Sequence, residues 1–348
     1  MSTAFAFPVV LGLLLALAPL TLAQAQTVTV NCGKRKTIQQ VLDDYQASTA
    51  PLVVEIRGMC REAVVVRRGA VTLHGTDPLA DGIQAPSGAA NALALRYARD
   101  VRVQNLTIAG ASQNGLHVAY SSPVNVQNCR ISDNLAVGLV VTSGGLGVTD
   151  TTITRNGTGG AVIADGSVGF TRCTFTDNHQ DPAGDSAIIV SRGQVSLVDS
   201  SVTGWSALNI LRSRFIGLNS HVTSDGSGTP VVNAYFGSTL WYTGGTISGL
   251  VSAGQTDLVL LSVEQTADAA GWSGINLYGT GTVAVGVPWT QDKSTIHGDI
   301  RLRNFAQATI EPGNIVNGQL MCFSGADAWC GDPSNVTGQS SCGQCQKP

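Results

Sequence analysis

The residues best equipped for chemistry fall in one short stretch. Asp177-Asn178-His179-Gln180-Asp181-Pro182-Ala183-Gly184-Asp185 brings three carboxylates and a histidine within nine residues. A histidine tuned by neighbouring carboxylates can exchange a proton near neutral pH. His179, Asp181, Asp185 and Asp177 are therefore the candidate catalytic set. Earlier in the chain, His117, Arg96 and Arg130 are the candidate binding residues. His74, His221 and His297 stand alone and read as turn or surface residues. No metal site and no cofactor is expected from these histidines and carboxylates.

Such a loop has to be carried by regular elements, and a repeat supplies them. Asn105-Leu106-Thr107-Ile108 returns as Asn128-Cys129-Arg130-Ile131, as Asp150-Thr151-Thr152-Ile153, as Arg172-Cys173-Thr174-Phe175 and as Asp199-Ser200-Ser201-Val202. The steps are about 22 residues, and the last is longer because it contains the acidic loop. Each period holds three short alternating runs, as in Leu116-His117-Val118, Val124-Asn125-Val126 and Cys129-Arg130-Ile131. Alternation sends one side chain inward and the next outward. Three inward stacks follow: Leu93, Leu116, Leu139, Ala161, Ile188; Val103, Val126, Val148, Phe170, Leu197; and Ile108, Ile131, Ile153, Phe175, Val202. One coil cannot close a core, but stacked coils can. The expected fold is all-β, a right-handed parallel β-helix of about ten coils. Asn134, Asn156 and Asn178 recur in step and predict an amide ladder at a left-handed turn.

Composition agrees with strands and turns. The chain of 348 residues has 41 glycines, only 12% charged residues and a net charge of −3. No basic cluster appears, which argues against nucleic acid as a partner. The outward residues of the first strands are read as Ala94, His117, Val140, Val162, Ile189, Ile210. The next row is read as Arg96, Ala119, Thr142, Ala164, Ser191, Arg212. That face is largely apolar and poor in acid, so a loop, the C-terminal tail or a second copy of the chain is expected to cover it.

The ends differ from the middle. Val9–Leu22 is an apolar run ending in Ala23-Gln24-Ala25, which predicts a signal peptide over 1–25 and no membrane span after its removal. The expected location is secreted or periplasmic. Residues 26–91 read as an N-terminal cap and first coils, with Thr37–Tyr45 as a short amphipathic helix. Residues 92–320 are the repeats, and 321–348 a cysteine-rich tail. An exported chain defaults to disulfides. Cys32 is expected to bridge Cys60. Cys322, Cys330, Cys342 and Cys345 allow three pairings, with a four-thiolate zinc site as the rival. Cys129 and Cys173 lie two coils apart, beyond disulfide reach, and are expected as buried free thiols. Sequons at Asn105, Asn156 and Asn335 matter only in a glycosylating host.

The segments TIQQVLDDY, LVVEIRG and REAVVVRRGAVTLHG resemble the N-terminal cap and first coils of secreted parallel β-helix proteins of the pectate-lyase-like superfamily. The later repeats resemble its generic coil. That resemblance implies the fold and leaves the activity open. The acid and arginine patterns of pectate lyases, polygalacturonases and pectin methylesterases are not found intact. His-Gln-Asp-Pro resembles the Asp-Pro-His-Asp motif of alginate epimerases with the order changed. The expectation is an exported protein that binds a polysaccharide or another partner or serves a structural role. The alternative is a polysaccharide lyase or epimerase using the 177–185 loop. Self-association through the apolar face is a further expectation.

Overall fold

The structure, a computed structural model, describes residues 24–178, 186–225, 229–271, 273–286 and 293–345. The chain winds as a parallel β-solenoid of about thirteen turns. A representative coil runs Asn114–Ala119, Val124–Gln127 and Arg130–Ser132. We call these its a, b and c strands. The twelve a strands form one sheet, and the b and c strands run together as a second sheet that bends between them. Every pairing is parallel and joins one coil to the next: Leu116 faces Leu93 and Leu139, Val126 faces Val103 and Val148, Ile131 faces Ile108 and Ile153. The three inward stacks are as the repeat predicts, and all their members are buried. Each such side chain contributes roughly 1.5–3 kcal/mol when fully removed from water. The coil count exceeds ten because the turns after residue 208 keep the geometry without repeating the residues.

The corners of the coil are made by single left-handed residues. At the a-to-b corner these are Tyr97, Tyr120, Ser143, Asp165, Arg192, Arg212, Phe236 and Gln255, all with φ between 49° and 61°. The b-to-c corner uses Asn105, Asn128, Asp150, Arg172, Asp199 and Asn219. The c-to-a corner uses Asp133, Arg155 and Asp177. Asn134, Asn156 and Asn178 do form the amide ladder, but one residue further on and inside the coil. Asn134 Nδ2 donates to Asn156 Oδ1 at 2.9 Å and Asn156 Nδ2 to Asn178 Oδ1 at 2.8 Å. The left-handed conformation belongs to the residue before each asparagine. Asn156 is fully buried, so its sequon is closed in the folded chain.

One register reading is corrected. Ile210 pairs with Val190 and faces the core, while Asn209 pairs with Ile189 and faces outward. Leu211, not Arg212, continues the row of Ser191. The step from Ile188 to Leu208 is shorter than those before it, which shifts every later outward position by one. The outward row then turns polar: Asn209, Asn233, Ser252, Asn276, Arg301. The apolar stripe is confined to the first half of the sheet.

Both ends are capped. The helix is Ile38–Asp44, with Thr37 as N-cap in a capping box with Gln40. Its Ile38, Val41 and Leu42 close the core, and Glu62 accepts from the amides of Ile38 and Gln39. Cys32 is bonded to Cys60, Cys322 to Cys342 and Cys330 to Cys345. The pairings of the tail exclude a four-thiolate zinc site. Cys129 and Cys173 are free and buried, and burial pushes both thiols up to about 11. The predicted signal segment lies outside the described residues up to position 23. Among the described residues, no helix is long and apolar enough to cross a membrane.

Candidate functional site

The loop singled out by composition can be followed only to its edge. Asp177 is described, at the c-to-a corner, whereas His179, Asp181 and Asp185 lie outside the described residues. A positive charge that would complete an acid–base set there is already engaged. Arg155 sits near enough to Asp177 to feel its charge, yet its Nε and Nη2 both donate to Asp133 at 2.7 Å. Arg192 lies at the far end of Ser186–Ser191 and donates twice to Asp165, at 2.8 and 2.9 Å. The side-chain hydrogen bond from Arg192 holds the Asp165 carboxyl below its usual range.

The binding residues are split between two faces. His117 and Arg96 are neighbours on the outward side of the a strands. Burial, with the Arg96 charge added, holds the His117 ring below its ordinary value, so it stays neutral at physiological pH. Arg130 is on a c strand, beside Thr107 and Thr152, and turned to a different side. The structure does not bring Arg130 to the other two.

A different arrangement dominates the surface. The a-to-b corner column stacks its side chains along the solenoid axis at about 4.8 Å per coil. The rings of Tyr97 and Tyr120 stack at 5.2 Å and 5°. Next come Ser143, Asp165, Arg192 and Arg212, and then Phe236, whose ring lies 5.8 Å from the Arg212 guanidinium carbon. Tyr97, Tyr120 and Phe236 are 73%, 55% and 57% exposed. Left-handed backbone costs a bulky residue about 1–2 kcal/mol relative to what glycine would pay. Asn, Asp or Gly would serve these corners at less cost, so the corner conformation itself does not call for rings.

Beside this column runs a groove of about 810 Å³. Its floor is Gly144, Gly166, Gly193 and Ser213, and its far wall is Gly145, Ser167, Gln194, Arg214 and Thr239. It adjoins a smaller hollow of about 180 Å³ on the b strands, sharing Ser167, Gln194 and Arg214. The outward b-strand row there is Asn125, Gly147, Gly169, Ser196, Ile216, Trp241. Two glycines leave the row flat in the middle coils. A Cβ at Gly147 or Gly169 would meet only the tips of Asn125 and Ser196, at 3.2 and 3.3 Å. Packing alone does not demand glycine at either place. Trp241, 40% exposed, follows Ile216 in the row, which runs on to Val259.

The sequence contained a signal for this site: Tyr97, Tyr120, Arg192 and Arg212 each follow an a strand by one residue. Reading the corner as a column requires knowing that it is left-handed and outward, and the shift at residue 208 hid Arg212.

A second polar and aromatic patch lies beyond the groove. Tyr235 donates to Asn233 Oδ1 at 2.9 Å, and its ring is 6.1 Å from that of Tyr278, which lies over Gly254. Burial, together with the Tyr235 hydroxyl, pushes the Tyr278 hydroxyl up to about 12. It is a neutral donor at any ordinary pH.

Among solved structures, the chain is similar to an alginate lyase from Paenibacillus sp. str. FPU-7, with 11% identity, 86% of this chain and 99% of that chain covered, and a TM-score of 0.40. It is also similar to a tailspike protein of Acinetobacter baumannii bacteriophage Fri1, a capsular polysaccharide depolymerase, with 11% identity over 87% of this chain and 62% of that chain at a TM-score of 0.36. A third is the catalytic unit of a thermostable α-1,3-glucanase from Streptomyces thermodiastaticus strain HF3-3, with 14% identity over 86% and 66% at a TM-score of 0.34. Comparison with curated proteins gives no sequence match. The family described as right handed beta helix region matches residues 54–203, and the coils continue in the same fold past that stretch to the C-terminal cap.

Proposed function

We propose that this exported β-helix binds a polysaccharide chain along the a-to-b corner, parallel to the solenoid axis. The observation that carries the reading is the placement of exposed rings at both ends of a glycine-floored groove: Tyr97 and Tyr120 at one end, Phe236 and Trp241 at the other. Pyranose rings present apolar C–H faces that pack on such rings, and their hydroxyls match the Ser, Gln and Arg side chains between. The coil spacing of about 4.8 Å is close to the length of one sugar in an extended chain, so successive coils can meet successive sugars. The three disulfides fit a secreted or periplasmic location. Arg155 and Arg192 are each held by an aspartate, Asp133 and Asp165, and the exposed rings support binding over acid–base chemistry.

The test is migration of the purified protein through native gels containing single polysaccharides. Wild type is expected to be retarded by at least one of them, and Tyr120→Ala and Trp241→Ala each to relieve the retardation by roughly tenfold in apparent affinity. Unretarded migration of wild type across a broad panel would end the proposal.

A further inference from the structure

We infer that the groove takes an anionic polysaccharide, one carrying carboxylate or sulfate groups, and that Arg212 and Arg214 select it. This rests on the groove being a glycan site and adds the class of glycan.

The argument starts from how the chain disposes of its charges. In the middle coils, arginines at the corners are matched one to one with aspartates one coil away. Arg155 is held by Asp133, Arg172 by Asp150 and Arg192 by Asp165, each through Nε and Nη2. The pattern then breaks. Arg212 takes the next corner position after Arg192, and the coil beyond offers Phe236, not a carboxylate. Arg214 takes the opposite wall, with Gln194 and Thr239 as its register neighbours. Both are exposed, and both line the groove.

The lining therefore holds three guanidinium groups against one carboxylate, and that carboxylate is fully used by Arg192. A protein with a net charge of −3 carries a local excess of two positive charges among the residues lining this groove. Two exposed guanidinium groups lining one groove raise its local positive potential, which favours an anionic ligand there. Guanidinium forks match planar carboxylate and the oxygens of sulfate. Phe236 holds Arg212 by its ring face, which leaves the guanidinium edge free to donate. Ser213 lies between the two, its hydroxyl donating to the Leu211 carbonyl at 2.6 Å and accepting from the Gly193 amide at 3.1 Å, which ties the corner between the two arginines to the preceding coil.

The experiment compares three probes of similar length: a polyuronate, dextran sulfate and neutral dextran. Affinity is measured calorimetrically at low and high salt for wild type, for Arg212→Ala/Arg214→Ala and for Arg212→Lys/Arg214→Lys. Unchanged thermal transitions establish that the variants fold. Wild type is expected to bind at least one polyanion roughly tenfold more tightly than neutral dextran at low salt, and to lose that advantage at high salt. The alanine pair is expected to remove the advantage, with charged binding falling several-fold more than neutral binding, and the lysine pair to keep part of it. The polyuronate and sulfate arms identify which oxoanion is preferred. If neutral and charged chains bind alike and Tyr120→Ala weakens both, the anion inference is overturned and the groove reading stands. Equal loss of neutral and charged binding in the alanine pair also overturns it. If nothing binds, both fall together.

Discussion

Tyr120 and Phe236 hold φ values of 50° and 61°, in a region that bulky side chains rarely enter. Replacing Tyr120 by Asn should relieve that cost while removing the ring stack with Tyr97, worth about 0.5–1.5 kcal/mol. The two effects oppose, so Tyr120→Asn is expected to change stability by less than about 1 kcal/mol in urea titrations while glycan binding falls. A variant that unfolds readily would show that the ring serves the fold. Asp81 is a contrasting residue with a purely structural task. Burial pushes its carboxyl up, but hydrogen bonds from the Gly58, Thr76 and Asp77 amides and the Thr76 hydroxyl outweigh that and bring it to about 2. Its folded pKa is below the unfolded value of about 3.9. The stabilisation it gives is thus present above about pH 4 and lost as pH falls toward 2. Thermal scans over that range should show a steeper fall for wild type than for Asp81→Asn. Equal slopes would contradict this role.

At the scale of elements, the alternation within each short strand made the inward stacks legible from residue types alone. Leu116, Val126 and Ile131 needed no structure to be placed. The corners were harder, because Asn134 and Asn156 drew attention to themselves while the left-handed residues are Asp133 and Arg155 before them. Asparagine's tolerance of that conformation is a preference, and buried amide pairing overrode it here. The shortened coil before Leu208 could not be read because Ile210 and Leu211 are adjacent and both apolar, and only pairing tells that Leu208 and Ile210 face inward while Asn209 and Leu211 face outward. The flat b-strand row yields a prediction of its own. Gly169→Gln places a side chain in the hollow where a Cβ meets only the Ser196 hydroxyl. Glycine is a poor strand residue, so stability should hold or rise by up to about 1 kcal/mol. Glycan affinity is expected to drop, and unchanged affinity would remove the hollow from the site. The cap depends on Cys322–Cys342 and Cys330–Cys345, which close loops with sequence separations of 20 and 15. Each contributes about 3 kcal/mol in the chain-entropy account. Reduction should therefore raise hydrogen exchange first in the last coils, read by mass spectrometry. Uniform exchange along the solenoid would argue against a separable cap.

For the whole molecule, the solenoid is a ruler. Each coil contacts only its neighbours, so surface features repeat at the coil spacing and a polymer can follow them. From Tyr120 to Phe236 the corner column takes five coil steps, or about 24 Å. Affinity should rise with oligosaccharide length until that span is covered and then level off. Hydroxyl-radical footprinting, with and without a bound polysaccharide, tests the central claim most directly because aromatic rings are the reporters. Tyr97, Tyr120, Phe236 and Trp241 should be protected together, while Phe323 and Trp329, exposed at the C-terminal end, stay unchanged. Protection of Phe323 and Trp329 with Tyr120 and Phe236 still reactive would place the ligand elsewhere and contradict the account.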